Sequence, residues 1–159
     1  DQGKDLIIGV GFLFADAMTE VATANPDISF GIIDSAVDPT NVSGMVFAEE
    51  QGSFLVGVAA GLKTTTKKIG YIGGVEFPLI QKFEAGFAAG VAASCADCTV
   101  DVKYVTYPPD FDGFNQPSKA KEIALAQYES GADIIYHAAG GAGNGLFEAA
   151  KEVSETNKC

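Results

Sequence analysis

The sequence predicts an α/β fold in which parallel sheets are covered by helices on both faces, in three layers. Segments with the pattern of strands alternate with segments with the pattern of helices along the whole chain. The strand segments are almost continuously apolar, as is typical of parallel strands that are buried on both faces. With 159 residues, 47% of them hydrophobic, the chain is long enough for one compact domain or two small lobes.

The first part of the chain predicts three strands and two helices. Short apolar runs bounded by polar or turn-forming residues indicate the strands, and apolar residues three or four positions apart indicate the helices. In the second helix, for example, Phe54, Val58 and Leu62 share one face. The predicted strands are residues 6–10, 30–34 and 45–48, and the predicted helices are residues 14–24 and 52–62.

A polar segment over residues 64–68 precedes the second part and predicts a crossover between two lobes. We therefore assign residues 1–66 to the second half of a first lobe and residues 67–159 to most of a second. Pro117 and Gly131 flank one helix of the second part, as expected for its first turn and its end. The predicted strands are residues 69–73, 100–107 and 133–138, and the predicted helices are residues 80–91, 118–128 and 146–153.

Composition excludes several classes of function. The net charge of −11 argues against a nucleic-acid partner, because phosphate groups repel an acidic surface. No apolar run is long enough to span a bilayer. An enzyme is not expected, since His137 is the only histidine and no G-x-S-x-G nucleophile motif is present. No cofactor is expected either.

A glycine-rich run, residues 140–145, lies between the last predicted strand and the last predicted helix. Glycine lets the backbone approach a ligand closely, and the first turn of a helix offers N–H donors. Gly141, Gly143 and Gly145 form G-x-G-x-G and not the dinucleotide fingerprint G-x-G-x-x-G, so a nicotinamide or flavin site is not predicted. The run predicts either a turn that binds a polar small molecule or a flexible loop without a ligand.

Ligands of open parallel sheets bind at the carboxyl ends of the strands. In this sequence the residues just after the predicted strands are carboxylates, aromatic residues and glycines, with no lysine or arginine. Carboxylates accept hydrogen bonds from hydroxyl groups, and aromatic rings stack on flat rings. This set predicts a neutral, hydroxylated ligand with a ring. The main candidates are Gly11, Phe12, Asp16, Phe111, Phe114, Gly140 and Gly141.

Three other motifs favour structural roles over chemistry. Cys95 and Cys98 form C-x-x-C after a helix. This context favours a local disulfide or two free thiols over a redox centre, and a zinc site would need further ligands. Asp110 and Asp112 lack the spacing of a calcium loop and indicate a proline-stiffened loop. The pair at residues 49–50 adds favourable charge to a helix N-terminus. No metal is expected.

Four segments in this order resemble the basic membrane protein family of bacterial substrate-binding lipoproteins, the purine nucleoside receptor type. The resemblance implies a type I periplasmic binding protein fold, with two α/β lobes that close on a nucleoside and deliver it to an ABC importer. It also implies an extracytoplasmic location and a lipid anchor in an N-terminal segment that precedes this sequence. The segments are residues 9–12 with 15–17, residues 50–57, residues 73–74 with 78–87, and residues 131–133 with 137–141.

The resemblance also implies roles for individual residues. Asp16 is similar to a carboxylate that binds the ribose or the base, and Gly140 and Gly141 match a turn that offers backbone contacts. Phe114 corresponds to one of two stacking rings, although the preceding insertion leaves Phe111 as the alternative. The family's opening and closing segments are not in this sequence, so both lobes are expected to be incomplete. A sugar-binding protein of the same fold and a ligand-sensing regulatory domain remain open alternatives.

Overall fold

The structure, a computed structural model, describes residues 3–156. It contains two compact units, of which the first ends at Ala48 and the second begins at Glu49. The predicted boundary between residues 66 and 67 does not coincide with this division, because residues 49–63 form a helix that packs in the second unit. As an assignment of residues 1–66 and 67–159 to the lobes of a longer protein, the boundary stays a prediction.

The first unit is a three-stranded parallel sheet with one α-helix packed against it. β1 (Leu6–Val10), β2 (Ser29–Ile33) and β3 (Val42–Met45) lie in the order β1-β2-β3. α1 (Ala15–Ala24) follows β1 after a short 3-10 turn. The buried residues come from α1 and from the central strand, and they are Met18, Ala22, Phe30 and Ile32.

The third strand lies three residues earlier than predicted. Its register is set by β2, where the backbone N–H of Phe30 donates to the carbonyl of Asn41 at 2.8 Å and Asp34 N–H donates to Met45 O at 2.8 Å. The apolar residues Val46 and Phe47 suggested a strand over residues 45–48. Both side chains are exposed in the structure, so their apolar character does not mark a buried strand.

The second unit contains the other parallel sheet. β4 (Lys68–Val75) is the central strand, with β5 (Thr99–Thr106) on one side and β6 (Ile134–Ala138) on the other. Each strand lies within two residues of its predicted bounds. Both pairings are parallel, as the continuous apolar runs predicted.

Helices cover both faces of this second sheet. They are α2 (Glu49–Lys63), α3 (Pro78–Ser94), α4 (Pro117–Glu129) and α5 (Gly143–Thr156). Neighbouring residues of a strand point to opposite faces. Accordingly, Tyr71 packs with residues of α2 and α3, whereas Ile72 packs with residues of α4 and α5. The predicted three-layer α/β fold is confirmed in this unit.

Glycines let α2 and α3 cross at short distance. A Cβ at Gly57 would lie 2.1 Å from the carbonyl oxygen of Phe87, and a Cβ at Gly90 would lie 2.0 Å from that of Phe54. Real side chains do not approach backbone atoms so closely, so these positions require glycine. The contact explains why residues 49–63 belong to the second unit.

Candidate functional site

The carboxyl ends of β4, β5 and β6 meet at one edge of the second sheet, where the chain turns into α3, the loop 107–116 and the glycine run. Phe114 lies here, in a 3-10 turn over Asp112–Asn115. Its half-buried ring covers Gly74 near the end of β4, and a Cβ at Gly74 would lie 2.4 Å from Phe114 Cδ1. Glycine at residue 74 therefore provides the space in which the ring rests.

The glycines that follow β6 adjoin the same phenylalanine. Gly140 has a φ of 53°, a left-handed conformation that glycine adopts at no steric cost. A Cβ at Gly140 would lie 3.6 Å from Phe114 Cβ, and a Cβ at Gly141 would lie 3.2 Å from Phe114 O. The structure thus brings together three of the predicted site residues. Their contact with a ligand stays a prediction.

The second candidate for the stacking ring, Phe111, lies in a different environment. Its ring contacts Phe77 edge to face, with ring centroids 5.6 Å apart and planes 72° apart. Phe77 is the residue just before α3. The sequence gave no sign of this contact, because it depends on how two separate loops fold back to the same edge.

Hydrogen bonds within the loop 107–116 account for its two aspartates. The Thr106 hydroxyl donates to Asp110 O at 2.7 Å, and the backbone N–H of Asp112 donates to the Asp110 carboxylate at 2.9 Å. The Asp112 carboxylate accepts from the side-chain amide of Gln116 at 3.2 Å. Both carboxylates therefore serve the loop itself, as the prediction of a stiff loop implied.

In the first unit, three predicted site residues follow β1. Gly11 has a φ of 108°, and its N–H donates to Ile33 O at 3.2 Å. Phe12 begins the 3-10 turn, and Asp16 lies exposed in the first turn of α1. They share the carboxyl end of one parallel strand, as predicted. Their role in binding stays a prediction.

The glycine run differs from its prediction. Residues 140–142 form a 3-10 turn and α5 begins at Gly143, three residues earlier than predicted. A Cβ at Gly143 would lie 2.1 Å from the His137 ring, and a Cβ at Gly145 would lie 1.8 Å from Pro117 O. These two glycines are therefore required for packing on β6 and α4, and the run is not a flexible loop.

His137 lies half-buried near the end of β6 in the second unit. Its ring lies edge to face with Phe147, with ring centroids 5.4 Å apart. Burial lowers the pKa of His137 below its ordinary value of 6.5. Its buried Nδ1 has no hydrogen-bond partner among residues 3–156. This environment fits a structural role for the histidine.

Cys95 and Cys98 form a disulfide after α3. The Cys98 N–H also donates to Cys95 O at 3.2 Å, which closes a tight backbone turn between the two cysteines. Of the two alternatives that the sequence left open, the local disulfide is confirmed.

Within the part of the chain that the structure describes, no helix is both long enough and apolar enough to cross a bilayer.

Comparison with known proteins identifies the family that the sequence matches. The family described as Bmp, ABC transporter substrate-binding protein PnrA-like, matches residues 1–157. A CD4+ T-cell-stimulating antigen of Listeria monocytogenes is 43% identical over 95% of this chain. The ABC transporter nucleoside-binding protein BmpA of Lactococcus lactis is 40% identical over 98% of it. The aligned regions are 41% and 43% of these relatives, so the chain spans less than half of their length.

A solved structure gives the same result for the fold. An ABC transporter solute-binding protein from Aeropyrum pernix superposes with a TM-score of 0.85 at 27% identity, over 96% of this chain and 43% of that protein. The periplasmic-binding-protein-like α/β fold is thereby confirmed. The matched family consists of substrate-binding proteins, so the prediction that the chain is not an enzyme is also confirmed. The chain belongs to the Bmp family, the PnrA-like substrate-binding proteins of ABC transporters.

Proposed function

We propose that this chain is part of the extracytoplasmic solute-binding component of an ABC importer, and that the whole protein binds a purine nucleoside between two lobes. Family membership supports the solute-binding role. The similarity to BmpA of Lactococcus lactis, whose name describes nucleoside binding, supports the ligand class. The partners are then the nucleoside and the membrane permease that accepts it.

The position of Phe114 is the observation on which this function depends most. Its ring is half-buried on Gly74 and adjoins Gly140, so it is fixed by packing before any ligand binds. A fixed aromatic ring offers a flat face on which a nucleobase can stack, and such stacking contributes about 1–3 kcal/mol per base. The neighbouring glycines allow the ligand to approach the backbone closely.

The charge of the strand ends supports an uncharged ligand. Asp16 follows β1, and its exposed carboxylate can accept hydrogen bonds from ribose hydroxyls. Neither lysine nor arginine occurs in residues 11–16, 76–77, 107–116 or 139–145, which follow β1, β4, β5 and β6. A phosphate group would require such cations or an equivalent set of donors. A nucleoside therefore fits this set of residues better than a nucleotide.

The Cys95–Cys98 disulfide supports the proposed location. Disulfides persist in oxidising compartments such as the periplasm and the cell surface, and they are rare in the cytosol. A lipid anchor in a segment that precedes this sequence would attach the protein to the membrane. The first codons of the gene test this point, since a lipoprotein signal supports the importer and a helix-turn-helix segment supports a regulator instead.

Calorimetric titration tests the ligand class directly. The full-length product of the gene is titrated with adenosine, guanosine, inosine and free ribose. We expect saturable binding of at least one purine nucleoside and no competition from ribose at equal concentration. Absence of binding for all three nucleosides would overturn the proposal. Binding of ribose alone would favour the sugar-binding alternative.

A further inference from the structure

The turn between α3 and β5 carries a cluster of potential metal ligands. Cys95 directly follows α3, and Cys98 directly precedes β5. The sulfur atoms of these two cysteines and a carboxylate oxygen of Asp97 all lie within 4.8 Å of one another. Within residues 3–156, this is the one group of three such side chains whose donor atoms converge so closely. The C-x-x-C spacing supplied two of these ligands, and the structure adds the third.

The distance between Cys95 and Asp97 fits a tetrahedral zinc ion. Zinc binds cysteine sulfur at about 2.3 Å and carboxylate oxygen at about 2.1 Å, so a tetrahedral angle places the two donor atoms about 3.6 Å apart. Cys95 Sγ and Asp97 Oδ1 are 3.4 Å apart. The remaining ligand, Cys98 Sγ, is bonded to Cys95 Sγ in the disulfide, so the set becomes complete only on reduction. Water can then fill the fourth position.

The surroundings of Asp97 favour a cation. The carbonyl groups at the C-terminus of a helix carry partial negative charge, and Cys95 is the residue that caps the C-terminus of α3. Lys67 donates to Asp97 Oδ2, and this hydrogen bond lowers the pKa of Asp97, which keeps the carboxylate charged. Because Lys67 contacts Oδ2, the other oxygen, which lies beside Cys95, is left to a metal ion.

Backbone hydrogen bonds hold this turn at both of its ends. Cys95 N donates to Val91 O at 2.8 Å, which continues the last turn of α3. Cys98 N donates to Cys95 O at 3.2 Å. Thr99 N donates to Lys67 O at 2.9 Å, where β5 begins to pair with β4. None of these bonds involves a sulfur atom, so reduction of the disulfide leaves both thiols on the same turn.

We propose that reduced Cys95 and Cys98 bind one zinc ion together with Asp97, so that a metal closes this turn in the reduced protein and the disulfide closes it in the oxidised protein. A dithiol reductant exchanges with the disulfide, forms its own disulfide and leaves both cysteines as thiols. Zinc then displaces the two thiol protons, because the thiolate is the ligand. Among the common divalent cations, thiolates select zinc over magnesium and calcium.

The two forms of the turn belong to different compartments. The cytosol keeps thiols reduced, whereas disulfides persist outside it. The zinc form is therefore that of the chain before export, and the disulfide form is that of the exported protein. This order rests on the proposed extracytoplasmic location, but the zinc site itself does not depend on which ligand the protein binds.

Titration with cobalt tests the site, because thiolate complexes of Co²⁺ absorb visible and near-ultraviolet light. The full-length protein is reduced with a dithiol, separated from it without oxygen, and titrated with Co²⁺ and then with Zn²⁺. Cys159→Ser is present in every form, so that this third cysteine supplies no thiolate. We expect one Co²⁺ per reduced chain with a thiolate-to-cobalt absorption band that Zn²⁺ abolishes, and no band in the oxidised protein.

Substitutions identify the ligands. Cys95→Ser and Cys98→Ser should each remove the band. Asp97→Asn should bind Co²⁺ about 10- to 100-fold more weakly, since even the loss of an outer-shell partner costs a metal site that much. Asp101→Asn is the matched control, because Asp101 is also a partly exposed carboxylate paired with a lysine, Lys103, at 3.3 Å. This variant should bind Co²⁺ like the wild type.

Three results would overturn the inference. They are the absence of a thiolate band in the reduced protein, a band that persists in Cys95→Ser and Cys98→Ser, and equal affinities of Asp97→Asn and Asp101→Asn. Thermal melts of all variants identify any loss of binding that is due to unfolding. None of these measurements uses a nucleoside, so their failure and the failure of the proposed function are distinguished.

Discussion

The ring of Phe114 rests on Gly74, in the space that a side chain at residue 74 would fill. A Cβ at that position would lie 2.4 Å from Phe114 Cδ1 and 2.5 Å from Cε1. The two residues belong to different elements, the end of β4 and the loop after β5, so their contact fixes the loop on the sheet. The orientation of the proposed stacking ring therefore depends on the absence of a side chain at residue 74.

Gly74→Ala is expected to displace the Phe114 ring. An added methyl group in a tightly packed position costs about 1–3 kcal/mol of the free energy of unfolding. The displaced ring should also weaken nucleoside binding. Urea denaturation gives the loss of stability, and calorimetry with inosine gives the change in affinity.

Gly52→Ala is the matched control for that substitution. Gly52 lies exposed in α2, and a Cβ there would have no other atom within 4 Å. Alanine favours a helix over glycine by about 1 kcal/mol, so this variant should be slightly more stable with unchanged affinity. If Gly74→Ala behaves like Gly52→Ala, the proposed dependence of Phe114 on residue 74 is wrong.

Asp133 should stabilise the turn before β4 in a pH-dependent manner. Burial alone would raise the pKa of Asp133, but hydrogen bonds from Thr64, Thr65 and Thr66 outweigh it and hold the pKa well below its ordinary value of 3.8. Since the pKa is lowered in the folded state, the stabilisation is present above pH 3.8 and is lost as the pH falls further.

Substitution of this carboxylate tests the prediction. Asp133→Asn should lower the free energy of unfolding at neutral pH by about 1–3 kcal/mol, since hydrogen bonds to a charged acceptor are lost. The difference from the wild type should shrink at acid pH, where the wild-type carboxylate is protonated. Asp97→Asn removes an exposed carboxylate paired with Lys67 and should change stability little. A difference that does not depend on pH would contradict this account of Asp133.

His137 predicts a second loss of stability as the pH falls, in this case because the buried ring must gain a charge. Burial lowers the pKa of this histidine, so the folded state favours the neutral ring. Stability should therefore be complete above the ordinary pKa of 6.5 and decline as the pH falls below it. His137 is the only histidine in the sequence, and no other type of side chain has an ordinary pKa between 5 and 8.

The decline is measured as the melting temperature between about pH 7.5 and pH 5.5. The wild type should lose stability over this range, whereas His137→Gln, which cannot titrate, should lose much less. Equal slopes for the two proteins would show that the histidine is not responsible.

Much of the fold could be predicted from local sequence pattern. The apolar runs of β4, β5 and β6 belong to one parallel sheet whose faces helices cover, so their composition matched their surroundings. β1 was also predicted from its apolar run, although Leu6, Ile8 and Val10 are exposed in the structure. β3 was predicted too late because exposed Val46 and Phe47 resemble strand residues. Only the pairing with β2, a contact between distant segments, sets its true position.

The candidate site could be predicted only in part, because some of its contacts join segments that are distant in the sequence. The predicted parallel sheet implied that residues after β4, β5 and β6 share one edge, and Phe114 does lie beside Gly140. The packing roles of Gly143 and Gly145 could not be predicted, because they depend on His137 and Pro117 in other elements. A sequence pattern that suggests a ligand turn can equally arise from close packing of a helix.

Phe114→Ala in the full-length protein, titrated with inosine in a calorimeter, tests the central claim most directly. Loss of one stacking face should weaken binding by about 1–3 kcal/mol, or roughly 5- to 150-fold. The control, Leu62→Ala, changes an exposed side chain near the end of α2 and should leave the affinity unchanged. An affinity in Phe114→Ala equal to that of the wild type would contradict the claim that this ring holds the base.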